Sequence, residues 1–274
     1  MEIIKAILFG IVEGITEWLP VSSTGHMILL DEFIKLDVSK QFYELFEVVI
    51  QLGAILAVVI IFWKNIWPFY NARGKTRVNH TVISLWGKIL VACLPAAVIG
   101  ILFDDWIDAH LHNSVVVSLT LIIYGIIFIV IESKNIGSRT TDDLGKITYK
   151  QALGVGGFQL LSLIPGTSRS GSTIIGGLLL GLERSVAAEF TFFLAIPVMA
   201  GASLLKLVKY VLKVGFTFSG MELGILATGC IVSFIVSLFV IKFLLSYIRK
   251  HDFKVFGWYR IILGIIVLLY FWLF

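Results

Sequence analysis

Six long apolar runs constrain the fold of this chain more than any other feature of its sequence. They lie near residues 43–63, 82–103, 115–131, 186–207, 221–248 and 255–274, and each is about as long as a helix that crosses a bilayer. A segment inside a bilayer has to satisfy its own backbone hydrogen bonds, which favours helices. The mean hydropathy of +0.96 and the charged fraction of 15% lie outside the range of soluble domains. The sequence therefore predicts an all-α, multi-pass membrane protein that forms one domain over residues 1–274.

Two further apolar regions, residues 1–36 and 151–183, are interrupted by the stretches LPVSSTGH and IPGTSRSGST. Proline ends or kinks a helix, and serine, threonine and glycine favour turns and helix N-caps. The flanks, about 15 to 20 residues each, are marginal or short for a full crossing. We therefore predict two re-entrant helical hairpins, whose unwound backbone has to line a protein cavity.

The two interrupted regions also resemble each other. An offset of 145 residues pairs Pro20 with Pro165, Ser23 with Ser168 and Glu44 with Glu189. This pattern predicts an internal duplication, with halves at about 1–131 and 132–274.

The charges of the loops predict the orientation of the two halves. The loops 64–80 and 132–150 are rich in lysine and arginine, whereas the loop 104–114 has three aspartates and neither of these basic residues. The positive-inside rule places the basic loops in the cytoplasm and the acidic loop outside. The first hairpin then enters from outside and the second from the cytoplasm, as in inverted repeats whose broken helices meet near the midplane. Lys206, Lys209 and Lys213 disagree with this orientation, because it places them outside.

Two carboxylates precede the first break. Glu13 and Glu17 are four residues apart and share one helix face in an apolar segment. Such a pair persists where it binds a divalent cation, pairs with a cationic group or shares a proton. If a cation is bound, Glu13 and Glu17 are the candidates to hold it as Mg²⁺ or Ca²⁺; the ion pair and the shared proton stay open. The alternative is an interfacial helix whose carboxylates are simply solvated.

A serine and a histidine follow these carboxylates at the first break. Ser23 and His26 are three residues apart, close enough on one helical turn for a hydroxyl nucleophile and its base. We favour this pair as the reacting groups, and His26 alone or a water remain the alternatives. Ser22 and Thr24 are expected to add hydroxyl donors to a phosphate group.

The second break has the features of a phosphate-binding site. Pro165 and Gly166 end one half-helix, and Thr167 or Ser168 can cap the next, whose N-terminus favours an anion. Arg169 adds a planar fork of donors that fits phosphate bidentately. Further hydroxyl donors are expected from Ser168, Ser170, Ser172 and Thr173. The alternative is an arginine paired with a glutamate in the membrane, with the hydroxyls bonding to helix backbone.

Other polar residues in the apolar runs are expected to have supporting roles. Glu47 and Gln51 are four residues apart and are predicted to face the cavity, and Glu189 is a candidate partner for Arg169 or for the hairpin backbone. Three cations are expected to extend from span ends towards water, namely Lys88, Lys242 and Arg260. The net charge of +4 fits basic cytoplasmic loops and does not indicate a nucleic-acid partner.

The motifs as a whole resemble a known family. The stretches EGITEWLPVSSTGH and PGTSRSGST, in this order, together with FEVVIQLGAILAV and AAEFTFFLAIPV, are similar to the bacterial undecaprenyl-diphosphate phosphatases, the bacitracin-resistance family. The similarity extends over essentially the whole chain.

The resemblance implies an enzyme of the bacterial plasma membrane. It would remove the terminal phosphate of undecaprenyl diphosphate and return undecaprenyl phosphate, the lipid carrier, to cell-wall synthesis. The resemblance also implies an inverted-repeat helical fold, commonly dimeric, whose site opens towards the outer face. In that site Glu13 and Glu17 would be metal or catalytic carboxylates, Ser23 and His26 reaction-centre groups, and Arg169 the phosphate binder.

A second functional class also fits the broken helices. Inverted repeats of this kind occur in transporters, so an anion or lipid-phosphate transporter or flippase is the rival hypothesis. A simple anion carrier has no need of two carboxylates beside its anion, and they would repel it. The carboxylates therefore favour the phosphatase.

Overall fold

The computed structural model describes residues 1–72, 75–111, 113–137 and 139–273, and the side chains of Ala72, Asp104, Asp105 and Asp108 lie outside the description. The side chains of the three aspartates on which the predicted orientation rests therefore lie outside the description, as does the whole of Arg73 in the first basic loop. In the described part, the helices are α1 Glu2–Thr16, α2 Ser23–Phe33, α3 Lys40–Ile61, α4 Trp63–Ile66, α5 His80–Leu111, α6 Ser114–Ser133, α7 Tyr149–Gln159, α8 Arg169–Leu179, α9 Arg184–Val214, α10 Gly220–Ile248 and α11 Lys254–Leu273.

Six of these helices are long and apolar enough to cross a membrane, namely α3, α5, α6, α9, α10 and α11. They coincide with the six apolar runs of the sequence, so the prediction of an all-α, multi-pass membrane protein is confirmed. One small exception lies in the first basic loop, where β1 (Phe69–Ala72) pairs antiparallel with β2 (Lys75–Val78). This hairpin was not predicted, because its strands have only four residues each and no apolar alternation.

Both interrupted regions form two helices separated by a break. α1 ends at Thr16 and α2 begins at Ser23, whereas α7 ends at Gln159 and α8 begins at Arg169. A short 3₁₀ turn, Leu160–Leu163, lies within the second break. The predicted interruptions are therefore present at the predicted motifs.

The second helices of the two interrupted regions, α2 and α8, begin with the same kind of N-cap. Ser22 and Ser168 both have a φ of 73°, and each side chain accepts a hydrogen bond from the backbone N–H three residues later. This geometry makes Ser22 the counterpart of Ser168, at an offset of 146 residues. The predicted offset of 145 pairs Ser23, rather than the cap Ser22, with Ser168. Ser23 and Arg169 therefore occupy equivalent positions, as the first residues of α2 and α8.

The two second helices differ in burial. Residues 170–178 of α8 are all buried, and its apolar side chains belong to the main core with those of α9. In α2 only Gly25 and Met27 are buried. Most of α2 is therefore half-buried, whereas α8 lies in the protein interior.

A buried ion cluster anchors the C-terminal end of α6. The side chain of Glu132 accepts hydrogen bonds from Arg139 at 2.8 Å and from the Nη2 of Arg184 at 2.7 Å. The backbone N–H of Phe253 also donates to this carboxylate, at 3.3 Å. Glu132 therefore ties the end of α6 to α9 and to the segment before α11.

Glycines allow α10 to approach its neighbours closely. Gly53 of α3 lies against the backbone carbonyl of Cys230, and Gly14 of α1 lies against that of Ser233. Small residues at such contacts are typical of helix pairs in membranes. A methyl group at Gly53 would meet the Cys230 carbonyl, which is backbone and cannot rotate away.

We therefore expect Gly53→Ala to destabilise the protein by about 1–3 kcal/mol through overpacking. Gly201→Ala is the matched control, because nothing lies within 4 Å of the added methyl group in α9. The control should be neutral or stabilising by up to about 1 kcal/mol, since alanine favours helix over glycine. The measurement is the midpoint of thermal unfolding in detergent. Equal midpoints for the two variants would contradict the close contact between α3 and α10.

Candidate active site

Arg260 joins the two breaks. This side chain of α11 is fully buried, and its Nη1 donates to the carbonyl of Pro20 at 3.1 Å. Its Nη2 donates to the carbonyls of Gly166 and Thr167, at 2.9 and 3.0 Å. Unwound backbone leaves carbonyls without helical partners, and a buried guanidinium requires acceptors, so each satisfies the other. The two breaks therefore meet at one point in the interior.

The prediction that Arg260 extends to water was wrong. The signal against it was its position, since Arg260 lies six residues inside an α11 that begins at Lys254. Lys88 was also misassigned, because it is buried and donates to the carbonyl of Gly145 at 2.9 Å. Lys242 is exposed.

An ion pair between Arg169 and Glu17 also connects the two breaks. Glu17 accepts a hydrogen bond from the Nη2 of Arg169 at 2.9 Å, and its other oxygen accepts one from the Ser23 hydroxyl at 2.9 Å. The Nη1 of Arg169 donates to the carbonyl of Thr191 in α9 at 3.0 Å. The arginine–glutamate pairing left open by the sequence is therefore formed. It places Arg169 and Ser23 on the same carboxylate.

Glu13 differs from Glu17 although it is one turn away. Its side chain is 1% exposed, and its Oε1 has no hydrogen-bond partner among the described residues. Glu17, Glu47 and Arg169 are the charged groups that act on it. A buried oxygen without a partner is expensive, so Glu13 is a candidate ligand for a cation or a proton.

His26 has partners other than Ser23. Its Nδ1 donates to the carbonyl of Ser22 at 2.7 Å, since a carbonyl can only accept. Its Nε2 then accepts from the hydroxyl of Tyr259 at 2.7 Å, and the two rings are stacked with centroids 5.6 Å apart. Ser23 and His26 therefore do not form a hydrogen-bonded nucleophile and base here, because the Ser23 hydroxyl donates to Glu17. Tyr259 comes from α11, so its role could not be deduced from the first motif.

The hydroxyls of the second break support the helices. Ser172 donates to the carbonyl of Ser168 at 2.9 Å, and Thr173 donates to that of Arg169 at 2.9 Å. Thr191 in turn donates to the Thr173 hydroxyl, at 2.9 Å. These are the backbone contacts that the sequence left open as the alternative to phosphate binding.

The remaining predicted hydroxyls lie at both breaks. Ser170 donates to the carbonyl of Leu19 at 3.3 Å and so links the second break to the first. Ser22 and Ser168 are the helix caps described above. Thr24 lines a cavity.

This cavity, of about 630 Å³, leads to the first break. Its lining includes Glu13, Ser23, Thr24, Met27, Asp31, Lys40, Tyr43, Glu44, Glu47, Val48, Gln51 and Lys206. Glu47 and Gln51 therefore face the cavity, as predicted. Glu189 does not line it; its charged neighbours are Arg249 and Asp143, and Arg169 instead pairs with Glu17.

The fold and the site define a class of protein. It is a multi-pass membrane protein in which an arginine, a carboxylate and a hydroxyl from two broken helices meet beside a cavity. Residues 6–266 match the family described as bacitracin resistance protein BacA, and the chain belongs to this family.

Named relatives cover nearly the whole chain. The undecaprenyl-diphosphatase of Desulfitobacterium hafniense is 62% identical over 273 residues, which are 99% of this chain and 96% of the relative. That of Enterococcus faecalis is 60% identical over 271 residues, 98% of this chain and 97% of the relative. Undecaprenyl-diphosphatase 1 of Clostridioides difficile is 59% identical over 273 residues, 100% of this chain and 97% of the relative.

The contacts of Arg260 predict a large effect of removing it. Arg260→Met leaves three buried carbonyls without this donor, and an unsatisfied buried polar group costs about 1–3 kcal/mol. We expect a clearly lower midpoint of thermal unfolding in detergent. Lys242→Met is the control, because this exposed cation should change stability by less than about 0.5 kcal/mol. An Arg260→Met protein as stable as the control would show that the breaks do not depend on this guanidinium.

Proposed function

We propose that this chain hydrolyses undecaprenyl diphosphate to undecaprenyl phosphate and inorganic phosphate in the bacterial plasma membrane, and so returns the lipid carrier to cell-wall synthesis. The family and the names of its close relatives support this activity. The structural observation that carries the proposal is Glu17, which holds Arg169 and the Ser23 hydroxyl together at the first break. A phosphate binder and a nucleophile are thereby adjacent within the membrane domain.

Arg169 and the start of α8 would bind the phosphate groups. A guanidinium binds phosphate oxygens through paired hydrogen bonds, and the N-terminal end of a helix adds positive potential. The Nε of Arg169 is buried and has no partner among the described residues, so one donor of the fork remains to be satisfied. Both groups would stabilise the negative charge of the transferring phosphoryl group.

Ser23 would attack the terminal phosphorus, with Glu17 as the base. Its hydroxyl already donates to Glu17, so the proton has an acceptor at 2.9 Å. As the bond from Ser23 to phosphorus forms, the bond to the bridging oxygen breaks and undecaprenyl phosphate leaves. Water then hydrolyses the phosphoserine and releases inorganic phosphate. His26, held by the Ser22 carbonyl and Tyr259, would position the first turn of α2.

A divalent cation, Mg²⁺ or Ca²⁺, belongs to the proposal. Among the described residues, no cluster of three or more metal-binding side chains exists, but Glu13 has a buried oxygen without a partner. This set fits a cation held by one or two carboxylates and by the phosphates of the substrate. Glu13 would hold it, with Glu17 or Glu47 as the second carboxylate. The cation, when bound, would neutralise charge on the diphosphate.

The same proposal includes the inverted repeat and its two re-entrant hairpins. The shared Ser22 and Ser168 caps support it, as do α2 and α8 of 11 residues each and α6 and α11 of 20 residues each. α1 packs on α10 as α7 packs on α5, which is the exchange that a two-fold axis requires. The basic loops then orient the cavity towards the outer face. The proposal of a homodimer is based only on the resemblance to the family.

Phosphate release by the purified protein in detergent tests the activity. A transporter has no second compartment in detergent and would bind undecaprenyl diphosphate without releasing phosphate. We expect release that a chelator abolishes and that Mg²⁺ or Ca²⁺ restores. Glu13→Gln should raise the cation concentration required by about tenfold or more.

Glu183→Gln is the matched control for this measurement. Glu183 is an exposed carboxylate before α9, and its substitution should leave the cation requirement unchanged. A protein that never releases phosphate would contradict the phosphatase. Full activity in excess chelator would show that no cation is needed. Glu13 would then be assigned as a proton-sharing partner of Glu17.

A further inference from the structure

The β-hairpin of the first basic loop has one apolar face. Residues opposite each other in an antiparallel pair lie on the same face, as do alternate residues along a strand. Phe69 pairs with Val78, and the two side chains are 48% and 41% exposed. The ring of Trp67 contacts that of Phe69 and stacks on Trp63, with centroids 4.7 Å apart in the stack. Trp63, Trp67, Phe69 and Val78 thus form one exposed surface, the aromatic face.

The other face of the hairpin is basic. Lys75 and Arg77 lie opposite the aromatic face, and Lys64 lies in the turn of helix α4 that precedes the hairpin. All three cations are exposed, and among the described residues none of them forms an ion pair. The sequence has no aspartate or glutamate from residue 48 to residue 103, so the segment has no acid of its own to neutralise them.

The acids of the other basic loop, 132–150, have partners of their own. Glu132 is bonded to two arginines, as described above, and Asp142 pairs with Lys146 at 2.8 Å. Asp143 accepts a hydrogen bond from the backbone N–H of Gly145 at 2.7 Å. The cations of the hairpin are therefore available to an external anion.

The hairpin is fixed beside two membrane spans. α3 ends at Ile61 and α5 begins at His80, and each strand of four residues is only about 13 Å long. The indole N–H of Trp86 donates to the carbonyl of Ile66 at 2.8 Å, which ties the start of the hairpin segment to α5. The hairpin is therefore held close to the level at which the two spans leave the bilayer.

We propose that this hairpin lies on the membrane surface and binds anionic phospholipids, with the aromatic face towards the acyl chains and Lys64, Lys75 and Arg77 at the headgroup phosphates. Aromatic side chains anchor proteins at the membrane interface, and lysine and arginine are attracted to anionic lipids. An apolar protein partner could cover the aromatic face, but it would leave the three cations unexplained. None of these residues lines the cavity at the first break, so the inference is independent of the proposed function.

The test places a polarity-sensitive fluorophore on the aromatic side of the hairpin. Thr76→Cys carries the label in a Cys93→Ala/Cys230→Ala background, because Thr76 is exposed and lies on the same face as Val78. One copy per nanodisc is placed in an equal mixture of phosphatidylcholine and phosphatidylglycerol, and one of the two lipids carries bromine on its acyl chains as a quencher. Brominated phosphatidylglycerol should quench the label about threefold or more as efficiently as brominated phosphatidylcholine.

A charge variant tests the selection of anionic lipid. Lys64→Gln/Lys75→Gln/Arg77→Gln should lower the ratio of the two quenching efficiencies to about one. The matched control Lys134→Gln/Lys150→Gln/Lys250→Gln removes the same charge from exposed lysines outside the hairpin and should keep the ratio of the parent.

A second variant tests the aromatic face. Trp67→Ser/Phe69→Ser should weaken quenching by both lipids and shift the emission of the label to the red, because the hairpin loses its apolar contact with the bilayer. Single variants Phe69→Ser and Arg77→Gln replace the multiple variants if thermal unfolding shows a loss of fold.

Three results would overturn the proposal. If neither lipid quenches the label in the parent, the hairpin does not lie on the bilayer. If both lipids quench equally in the parent, or if the charge variant keeps the ratio, the cations do not select anionic lipid. A blue-shifted emission that requires two copies per nanodisc would assign the aromatic face to a second copy of this chain.

Discussion

The buried guanidinium of Arg260 is the interaction on which the rest of the site depends. A charge inside a membrane protein is expensive, and so are backbone carbonyls that no helix satisfies. Here the carbonyls of Pro20, Gly166 and Thr167 supply acceptors for the charge, and the charge supplies donors for the carbonyls. Either break alone would leave buried carbonyls without this donor. Together they fix the starts of α2 and α8 beside each other.

The chemistry of the site follows from this convergence. Ser23 and Arg169 are the first residues of α2 and α8, yet one is a candidate nucleophile and the other a candidate phosphate binder. Glu17 joins them, with one oxygen on each. Glu13, one turn earlier, keeps an oxygen without a partner. Two carboxylates on one helix face thus have different surroundings, which supports the proposed roles of Glu17 as a base and Glu13 as a cation ligand.

Much of the fold could be predicted, because membrane spans are set by the length and apolarity of local segments. The breaks could also be predicted, since proline, glycine and serine act locally. The offset of 145 did not identify the two caps, because similar residues stand next to each other at Ser22 and Ser23, and only the cap geometry distinguishes them. The β-hairpin was missed because its strands are short and polar.

The partners within the site could not be predicted from spacing. Ser23 and His26 are within reach of each other on one helical turn, but Ser23 is hydrogen-bonded to Glu17 and His26 to Tyr259. Tyr259 belongs to a helix more than 200 residues away along the chain, and the same holds for Arg260. Contacts of this kind depend on tertiary packing, which one sequence does not reveal.

The central claim is that the two breaks form one catalytic site through Glu17 and Arg169. A double-mutant cycle on phosphate release from undecaprenyl diphosphate tests it most directly, with Glu17→Gln, Arg169→Lys and the double variant. Residues that act as a unit are non-additive, so each single variant should lose about tenfold or more in kcat/KM and the double variant should be little worse than the more impaired single. Losses that multiply in the double variant, or a single variant with normal turnover, would contradict a shared site.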